Sequence, residues 1–193
     1  MKPEEYRTAK VAAGSVNIIT HFLRTESADL LCDFVYSVDR SPFGRLSVAD
    51  RYALGAAFKP SGDTEQVLVL SAHADAFNAA HRRTYTEALI DWATARSQSS
   101  EVFIAGDFNF ELKAANETNL YTDNLKHDSE SYSHILRSFR DLGRTAGDTA
   151  INDRRIDYIF GPLKLEKTGR VEVLRNAAVG RMDHWPLLVE VGR

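Results

Sequence analysis

The chain has 193 residues, of which 44% are hydrophobic and 26% are charged, and its formal net charge is −3. This composition is typical of one soluble globular domain with a sizeable core, and no Ser/Gly-rich or charged run marks a linker, so we expect a single domain over residues 1–193. The weak negative charge argues against binding nucleic acid over a wide basic face, although a few local arginines could still contact it.

The single cysteine, Cys32, excludes an internal disulfide framework and is typical of a reducing compartment. The first residues, MKPEEYRTAKVAAG, contain no apolar core of the secretory kind, and no run in the chain approaches transmembrane length. The chain as given is therefore expected to be cytoplasmic and to have no membrane contact.

In chain order, apolar residues follow a helical period in three stretches, residues 10–24, 78–97 and 133–142, the last stopped by Gly143. Seven short runs rich in Val, Ile and aromatic residues are strand-like: CDFVYSV, RYALGAAF, VLVLSA, EVFIAG, IDYIF, VEVLR and PLLVEV. Several of these runs are long and apolar rather than strictly alternating. This pattern indicates sheets covered on one side by helices and on the other by a second sheet.

Polar residues able to bind a cation or move a proton recur beside these strand-like runs. His73 follows VLVLSA, Asp107 and Asn109 follow VFIAG, and Asp183 and His184 come just before PLLVEV. Because the ends of neighbouring strands can bring side chains together on a rigid scaffold, these residues are candidates for one site.

Asp157 lies inside RRIDYIF, where an unpaired carboxylate would be costly to bury. A histidine is its natural partner, but an ion pair with Arg154 or Arg155 is an alternative that contributes only about 0–1 kcal/mol at a surface. The other features also have structural interpretations: a turn at Asp-Phe-Asn, a hydrogen-bonded surface His73, and a turn before the last strand. One shared site would account for all four features at once.

Such a site would be rich in oxygen ligands, which suit Mg²⁺ or Mn²⁺, whereas no His and Cys pairs at ligand spacing indicate structural zinc. A hard cation beside histidines fits hydrolysis of a phosphate ester. The chain has no Gly-rich phosphate loop and no nucleophile elbow, which argues against kinases, nucleoside triphosphatases and serine hydrolases.

The segments VLVLSAHAD, IAGDFNFE, RRIDYIF and MDHWPLLVEV, in this order, resemble successive motifs of the endonuclease/exonuclease/phosphatase superfamily. Within it, YSVDRSPFGRLSVADRYALGAAF resembles a stretch of deoxyribonuclease I that has a Gly-Arg and an acidic-Arg-Tyr triplet at this spacing. The resemblance covers residues 35–193 and implies a mixed α/β fold, the four-layer α/β/β/α sandwich of the deoxyribonuclease I type, here shortened at its amino end.

The resemblance also implies roles for the candidate residues. His184 would be the general base that activates water, and Asp157 or Asp107 would orient the histidine pair. His73 would contact the scissile phosphate and help protonate the leaving group, while Asp107 and Asn109 would position phosphate and metal.

Further roles follow from the same resemblance. Asp183 would be a metal ligand. Asp50 takes the place of a Glu that partners the first histidine in deoxyribonuclease I, with a reach one methylene shorter. Arg45 and Arg51 would contact the DNA backbone.

The amino end departs from the family, whose members begin with a strand carrying a metal-site Asn, then a helix, then a strand ending in a metal-binding Glu. If residues 10–24 form the helix after that Glu, then Glu5 is the possible metal ligand, Arg7 is its following arginine, and the first strand is missing. In a competing register, SVNIITH is the first strand with Asn17 as the family Asn, and ADLLCDFV is the second with Asp33 near the missing Glu. Extended backbone at residues 10–24 would favour this second register.

Missing strands would expose sheet edges and apolar surface, so we expect a partner chain or self-association to cover them, or impaired metal binding. The expected function is that of a divalent-metal-dependent phosphodiesterase, a deoxyribonuclease I-like endonuclease acting on DNA, with Mg²⁺ or Mn²⁺ as cofactor and Ca²⁺ as a further structural ion. The alternatives are a phosphoesterase acting on RNA, phospholipid or inositol phosphate, and a catalytically impaired module with a binding role.

Overall fold

The structure is a computed structural model that describes residues 6–13, 16–23, 28–37, 52–60, 66–114, 124–165, 168–177 and 183–191. Its strands are β1 (Tyr6–Ala13), β2 (Val16–Leu23), β3 (Ala28–Ser37), β4 (Tyr52–Pro60), β5 (Gln66–His73), β6 (Ser100–Asp107), β7 (Phe139–Asp141), β8 (Asp157–Pro162), β9 (Thr168–Val173) and β10 (Leu187–Val191). Its helices are α1 (Ala79–Arg96) and α2 (Leu125–Ile135), with a short 3-10 helix at Arg175–Ala177. All seven strand-like runs of the sequence fall on strands.

Six strands form the main sheet, in the order β3-β4-β5-β6-β8-β7. Within it β5 and β6 run parallel, and their crossover contains α1, as a parallel connection requires. Strands β1 and β2 pair with each other in a second sheet, and β9 and β10 in a third. Strand β10 contacts β8, which brings the β9–β10 pair beside the main sheet.

Helix α1 covers the centre of the main sheet, as the sequence predicts for residues 78–97. It begins after Asn78, whose side-chain oxygen accepts a hydrogen bond from the backbone N–H of His81. Its buried residues Tyr85, Ala88, Leu89, Ile90 and Ala93 belong to one hydrophobic core. The same core contains Leu68 and Leu70 of β5 and Val102 and Ile104 of β6. Burial of each large apolar side chain stabilises the fold by about 1.5–3 kcal/mol, so this core holds β5 and β6 firmly in place.

The helix expected at residues 10–24 is wrong, because β1 and β2 are antiparallel strands paired from Tyr6–Leu23 to Ala13–Val16. The stretch from Val16 to Thr20 contains four β-branched residues, which lose side-chain freedom in a helix and favour strands. The extended backbone favours the register with strands at Asn17 and Asp33 over the one that relies on Glu5. These two strands do not pair with each other, because β2 pairs with β1 and β3 pairs with β4.

The helix expected at residues 133–142 is also wrong in its bounds. Helix α2 begins after Asn124 and ends before Leu136, and residues 139–141 form β7 beside β8. Phe139 is buried in the core as a strand residue, so its spacing from Ile135 fitted a helical stripe by coincidence.

In the part of the chain that the structure describes, no helix has the length and apolar character needed to cross a membrane.

Candidate active site

The strand register brings three candidate residues together at the ends of three neighbouring strands of the main sheet. His73 ends β5 and Asp107 ends β6, and they are direct partners in the parallel pair. Asp107 is in turn the antiparallel partner of Asp157, which begins β8. The three side chains therefore belong to adjacent strands at one level of the sheet, with Asp107 in the middle.

Gly106 allows β5 and β6 to approach each other just before this level. A Cβ atom at this position would lie 1.9 Å from the backbone oxygen of Ala72, and the φ angle of Gly106 is +144°, a conformation that L side chains rarely adopt. The Gly that precedes Asp107 in the sequence is therefore needed for the close approach of β5 and β6.

The segment Asp107-Phe108-Asn109 is a turn fixed by its own side chains. The backbone N–H of Asn109 donates to Oδ1 of Asp107 at 2.8 Å, and Nδ2 of Asn109 donates to the carbonyl oxygen of Ala74 at 3.2 Å. Phe108 is fully buried and its ring lies 5.2 Å from that of Phe160 in an edge-on contact. The geometry therefore supports the structural interpretation of this segment, and the part of Asp107 and Asn109 in a site stays a prediction.

His184 reaches the site from the segment before β10. Its Nδ1 lies 2.9 Å from Oδ2 and 3.2 Å from Oδ1 of Asp157, so the imidazole donates to the carboxylate. Its Nε2 lies 4.0 Å from Oδ2 of Asp107. The histidine partner expected for Asp157 is therefore His184.

The two arginines that could have paired with Asp157 bind other carboxylates. Arg154 lies 3.2 Å from the carboxylate of Glu111, and Arg155 lies 2.8 Å from both oxygens of Asp141. These contacts leave Asp157 facing the histidine.

His73 lies on the other side of Asp107. Its Nε2 is 3.6 Å from Oδ2 of Asp107, and its backbone N–H donates to the hydroxyl of Tyr85 at 3.4 Å. The side chain of His73 is 43% exposed, so it is accessible to a ligand from solvent.

Two groups of the site have strongly shifted pKa values. The hydrogen bond to Asp157, together with the negative charges of Asp157, Asp107 and Asp183, raises the pKa of His184 to about 9, against the opposing effect of burial. Burial and then the nearby charge of Asp157 raise the pKa of Asp107 to about 6. Shifts of this size with specific charged partners are typical of functional sites.

Asp107, Asp157 and His184 form a cluster that could hold a cation, since one ligand atom from each residue lies within 4.8 Å of the others. Two carboxylates suit a hard divalent cation. The pKa of Asp107 is raised by burial first and by the charge of Asp157 second, and a nearby cation would oppose both effects. The residues present therefore fit a divalent metal.

Of the two residues assigned to metal from the sequence, Asp183 lies next to His184, where its role as a ligand stays a prediction, and Glu5 lies outside the described part. Asp183 is exposed, directly precedes His184, and accepts a hydrogen bond from the N–H of Ile151 at its backbone oxygen. Four further candidates fall outside the residues that the structure describes, and their roles stay predictions: Glu5, Arg45, Asp50 and Arg51.

Two buried ion pairs that sequence reasoning missed hold the segment after Asn109. Glu111 pairs with Arg154 at 3.2 Å, and its backbone N–H donates to Asp128 at 3.1 Å. Asp128 in turn binds Arg82 of α1 through two hydrogen bonds of 2.8 and 3.1 Å. These partners are far apart in sequence, so no local pattern could have identified them.

Thr149 was also missed. It is fully buried, and its hydroxyl accepts hydrogen bonds from the backbone N–H groups of Ile156 at 3.2 Å and Asp157 at 3.0 Å. A lone Thr in a loop carries no sequence signal of such a contact.

No protein-family model and no curated protein sequence matches the chain. Solved structures do match. An endonuclease/exonuclease/phosphatase from Bacteroides vulgatus is 17% identical with a TM-score of 0.71, over 97% of this chain and 77% of that one. A Bacteroides thetaiotaomicron mannosyl-6-phosphatase is 18% identical with a TM-score of 0.72, over 98% of this chain and 78% of that one. The human Nocturnin catalytic domain is 13% identical with a TM-score of 0.65, over 95% of this chain and 73% of that one.

The chain therefore has the mixed α/β fold of the endonuclease/exonuclease/phosphatase proteins, which confirms the fold class implied by the sequence resemblance.

Proposed function

We propose that the protein is a divalent-metal-dependent phosphoesterase. The observation that carries the proposal is the hydrogen bond between His184 and Asp157, with Asp107 4.0 Å from the other imidazole nitrogen. The fold supports it, because the structures it matches include a phosphatase. Fold likeness alone does not define a reaction, so the site carries the argument.

The hydrogen bond to Asp157 assigns the two nitrogens of His184 different tasks. Nδ1 is held by the carboxylate, so Nε2 is the nitrogen that takes a proton from the attacking water. Asp157 fixes the tautomer and stabilises the imidazolium that results. His73, which lies 3.6 Å from Asp107 and is accessible from solvent, would donate a hydrogen bond to a phosphate oxygen or to the leaving group.

Asp107 and Asp157 would hold the cation, with Mg²⁺ or Mn²⁺ as the ions that suit their oxygen atoms. When bound, the ion supplies stabilisation of the negative charge that develops on the phosphate oxygens. With a cation held beside it, His184 would have a lower pKa, so its neutral imidazole would be available as a base.

Two observations bear on the substrate class, one from the sequence and one from a similar structure. The SPFGR and DRY spacing favours DNA, so a deoxyribonuclease I-like endonuclease is our first candidate, with Arg45 and Arg51 contacting the backbone. The likeness to a mannosyl-6-phosphatase favours a small sugar phosphate as the second candidate.

The test measures nicking of supercoiled plasmid DNA and release of phosphate from mannose 6-phosphate, each with Mg²⁺, with Mn²⁺ and with chelator. His184→Ala should abolish whichever activity the wild type has. His134→Ala is the matched control, because His134 also faces a carboxylate, Asp91 at 3.5 Å, but lies on α2. Equal rates for wild type and His184→Ala would refute the mechanism, and inactivity of the wild type on both substrates would favour a binding module.

A further inference from the structure

Thr149 forms hydrogen bonds to the chain segments that carry both members of the His184–Asp157 pair. On one side, its buried hydroxyl accepts the backbone N–H of Asp157 at 3.0 Å and that of Ile156 at 3.2 Å. On the other side, its backbone oxygen accepts the N–H of Trp185, the residue after His184, at 2.7 Å.

Neighbouring bonds continue the same link. Ala150 and His184 are antiparallel bridge partners, and the N–H of Ile151 donates to the backbone oxygen of Asp183 at 2.9 Å. The N–H of Thr149 itself donates to the backbone oxygen of Arg154 at 2.9 Å. The segment around Thr149 is therefore paired with the His184 segment on one edge, while the Thr149 hydroxyl contacts the start of β8.

We propose that Thr149 is a positioning residue whose hydroxyl sets the distance between Asp157 and His184. The backbone hydrogen bonds of Thr149 align the two segments, but almost any residue at position 149 could form them. They therefore do not depend on the Thr side chain, whereas the bond to the N–H of Asp157 does. The hydroxyl is the part of the side chain that accepts the backbone N–H of Asp157, and Thr149 is wholly buried, so water cannot replace the hydroxyl without opening the structure.

The expected effect on the rate of catalysis rests on the proposed function, whereas the expected effect on the position of Asp157 does not. A carboxylate that moves by a fraction of an ångström loses its alignment with Nδ1, and small misplacements of this kind reduce the rate of the chemical step more than substrate binding. Residues that orient catalytic or metal-binding groups typically contribute about 10- to 100-fold to activity.

The experiment compares Thr149→Val, which removes the hydroxyl at nearly constant volume, with Thr149→Ser, which keeps it. Thr86→Val is the matched control: Thr86 is also fully buried, on α1, and its hydroxyl has no hydrogen-bond partner among the described residues. The first readout, on metal-free protein, is the downfield proton NMR signal of the Nδ1–H bond to Asp157, assigned by its loss in His184→Ala.

We expect Thr149→Val to shift or lose this signal and to increase amide hydrogen exchange at Asp157, while Thr149→Ser and Thr86→Val retain both. The second readout is turnover: kcat should fall about 10- to 100-fold in Thr149→Val with little change in KM, and recover in Thr149→Ser.

A wild-type signal and wild-type kcat in Thr149→Val would overturn the proposal. If that variant does not fold, Thr149→Ser decides alone, because a folded Ser variant without the signal contradicts a role for the hydroxyl. If the wild type hydrolyses no phosphate ester, the proposed function fails, while the NMR and exchange readouts still decide the position of Asp157.

Discussion

Oδ2 of Asp157 accepts a hydrogen bond from Nδ1 of His184 across 2.9 Å, although the two residues are 27 positions apart in the chain. The bond joins the first residue of β8 to the segment that precedes β10. It fixes the histidine so that its other nitrogen lies 4.0 Å from Oδ2 of Asp107, and the proposed function assigns water activation to that nitrogen.

The first prediction concerns the protonation of His184. In metal-free protein its imidazole should titrate near pH 9, and Asp157→Asn should lower this pKa toward the ordinary value of about 6.5, because the charged acceptor is lost. Histidine NMR titration measures this. Asp91→Asn, which changes the carboxylate that faces His134, should leave the titration of His184 unchanged. A pKa near 6.5 in the wild type would contradict the geometry.

The same shift predicts a pH dependence of stability. Because the folded pKa of His184 lies above its unfolded value, its contribution is fully present below about pH 6.5 and is lost as the pH rises through about 9. The free energy of unfolding of metal-free protein, measured by urea titration, should therefore fall over this window. The decline should be weaker in Asp157→Asn, and an equal decline in both proteins would show that another group is responsible.

Asp107 should reduce the stability of metal-free protein. Its pKa of about 6 lies above the ordinary value of 3.8, so its favourable contribution is lost as the pH rises through about 6, and near pH 8 the ionised group opposes folding. Asp107→Asn should raise the free energy of unfolding there by roughly 1–3 kcal/mol. The gain should shrink as the pH falls through about 6.

The same variant tests the cation site. Mg²⁺ at 100 times its dissociation constant stabilises a protein that binds it by about 2.7 kcal/mol, seen as a higher Tm. Wild-type protein should show this rise and Asp107→Asn should not. A variant that is less stable than the wild type, yet still responds to Mg²⁺, would remove Asp107 from the site.

Gly106 should be intolerant of a side chain. Gly106→Ala places a Cβ against the backbone of Ala72 and imposes a strained φ angle, so we expect a loss of roughly 2–6 kcal/mol in the free energy of unfolding. Gly147→Ala is the matched control, because a Cβ there meets nothing within 4 Å, and its effect should stay within about 1 kcal/mol. Equal denaturation midpoints for the two variants would refute the role of Gly106.

The buried pair of Glu111 and Arg154 should contribute to the fold far more than an exposed pair. Glu111→Gln removes a charge that faces Arg154 inside the protein, and should lower the free energy of unfolding by about 3–5 kcal/mol. Glu87→Gln removes one of the two carboxylates that pair with Arg83 of α1 at the surface, the other being Glu130, and should cost at most about 1 kcal/mol. If chemical denaturation showed similar losses of unfolding free energy in the two variants, burial would not determine how much an ion pair contributes to stability.

The sequence predicted seven of the ten strands that the structure describes and the polar residues at their ends, because both depend on local composition and spacing. It also identified Asp157 as a carboxylate in need of a histidine, since burial of an unpaired charge is costly. It failed at residues 10–24, where helical spacing of apolar residues outweighed the β-branched content in our interpretation. It could not identify Thr149 or Arg154, whose contacts depend on tertiary structure.

The most direct test of the account is the Mg²⁺-dependent turnover of Asp157→Asn, measured beside the wild type and Asp91→Asn on the better substrate of plasmid DNA and mannose 6-phosphate. General base catalysis contributes about 10²- to 10⁴-fold, so kcat should fall by that factor in Asp157→Asn and stay unchanged in Asp91→Asn. Wild-type turnover in a folded Asp157→Asn protein would contradict the assignment of the His184–Asp157 pair as the catalytic base.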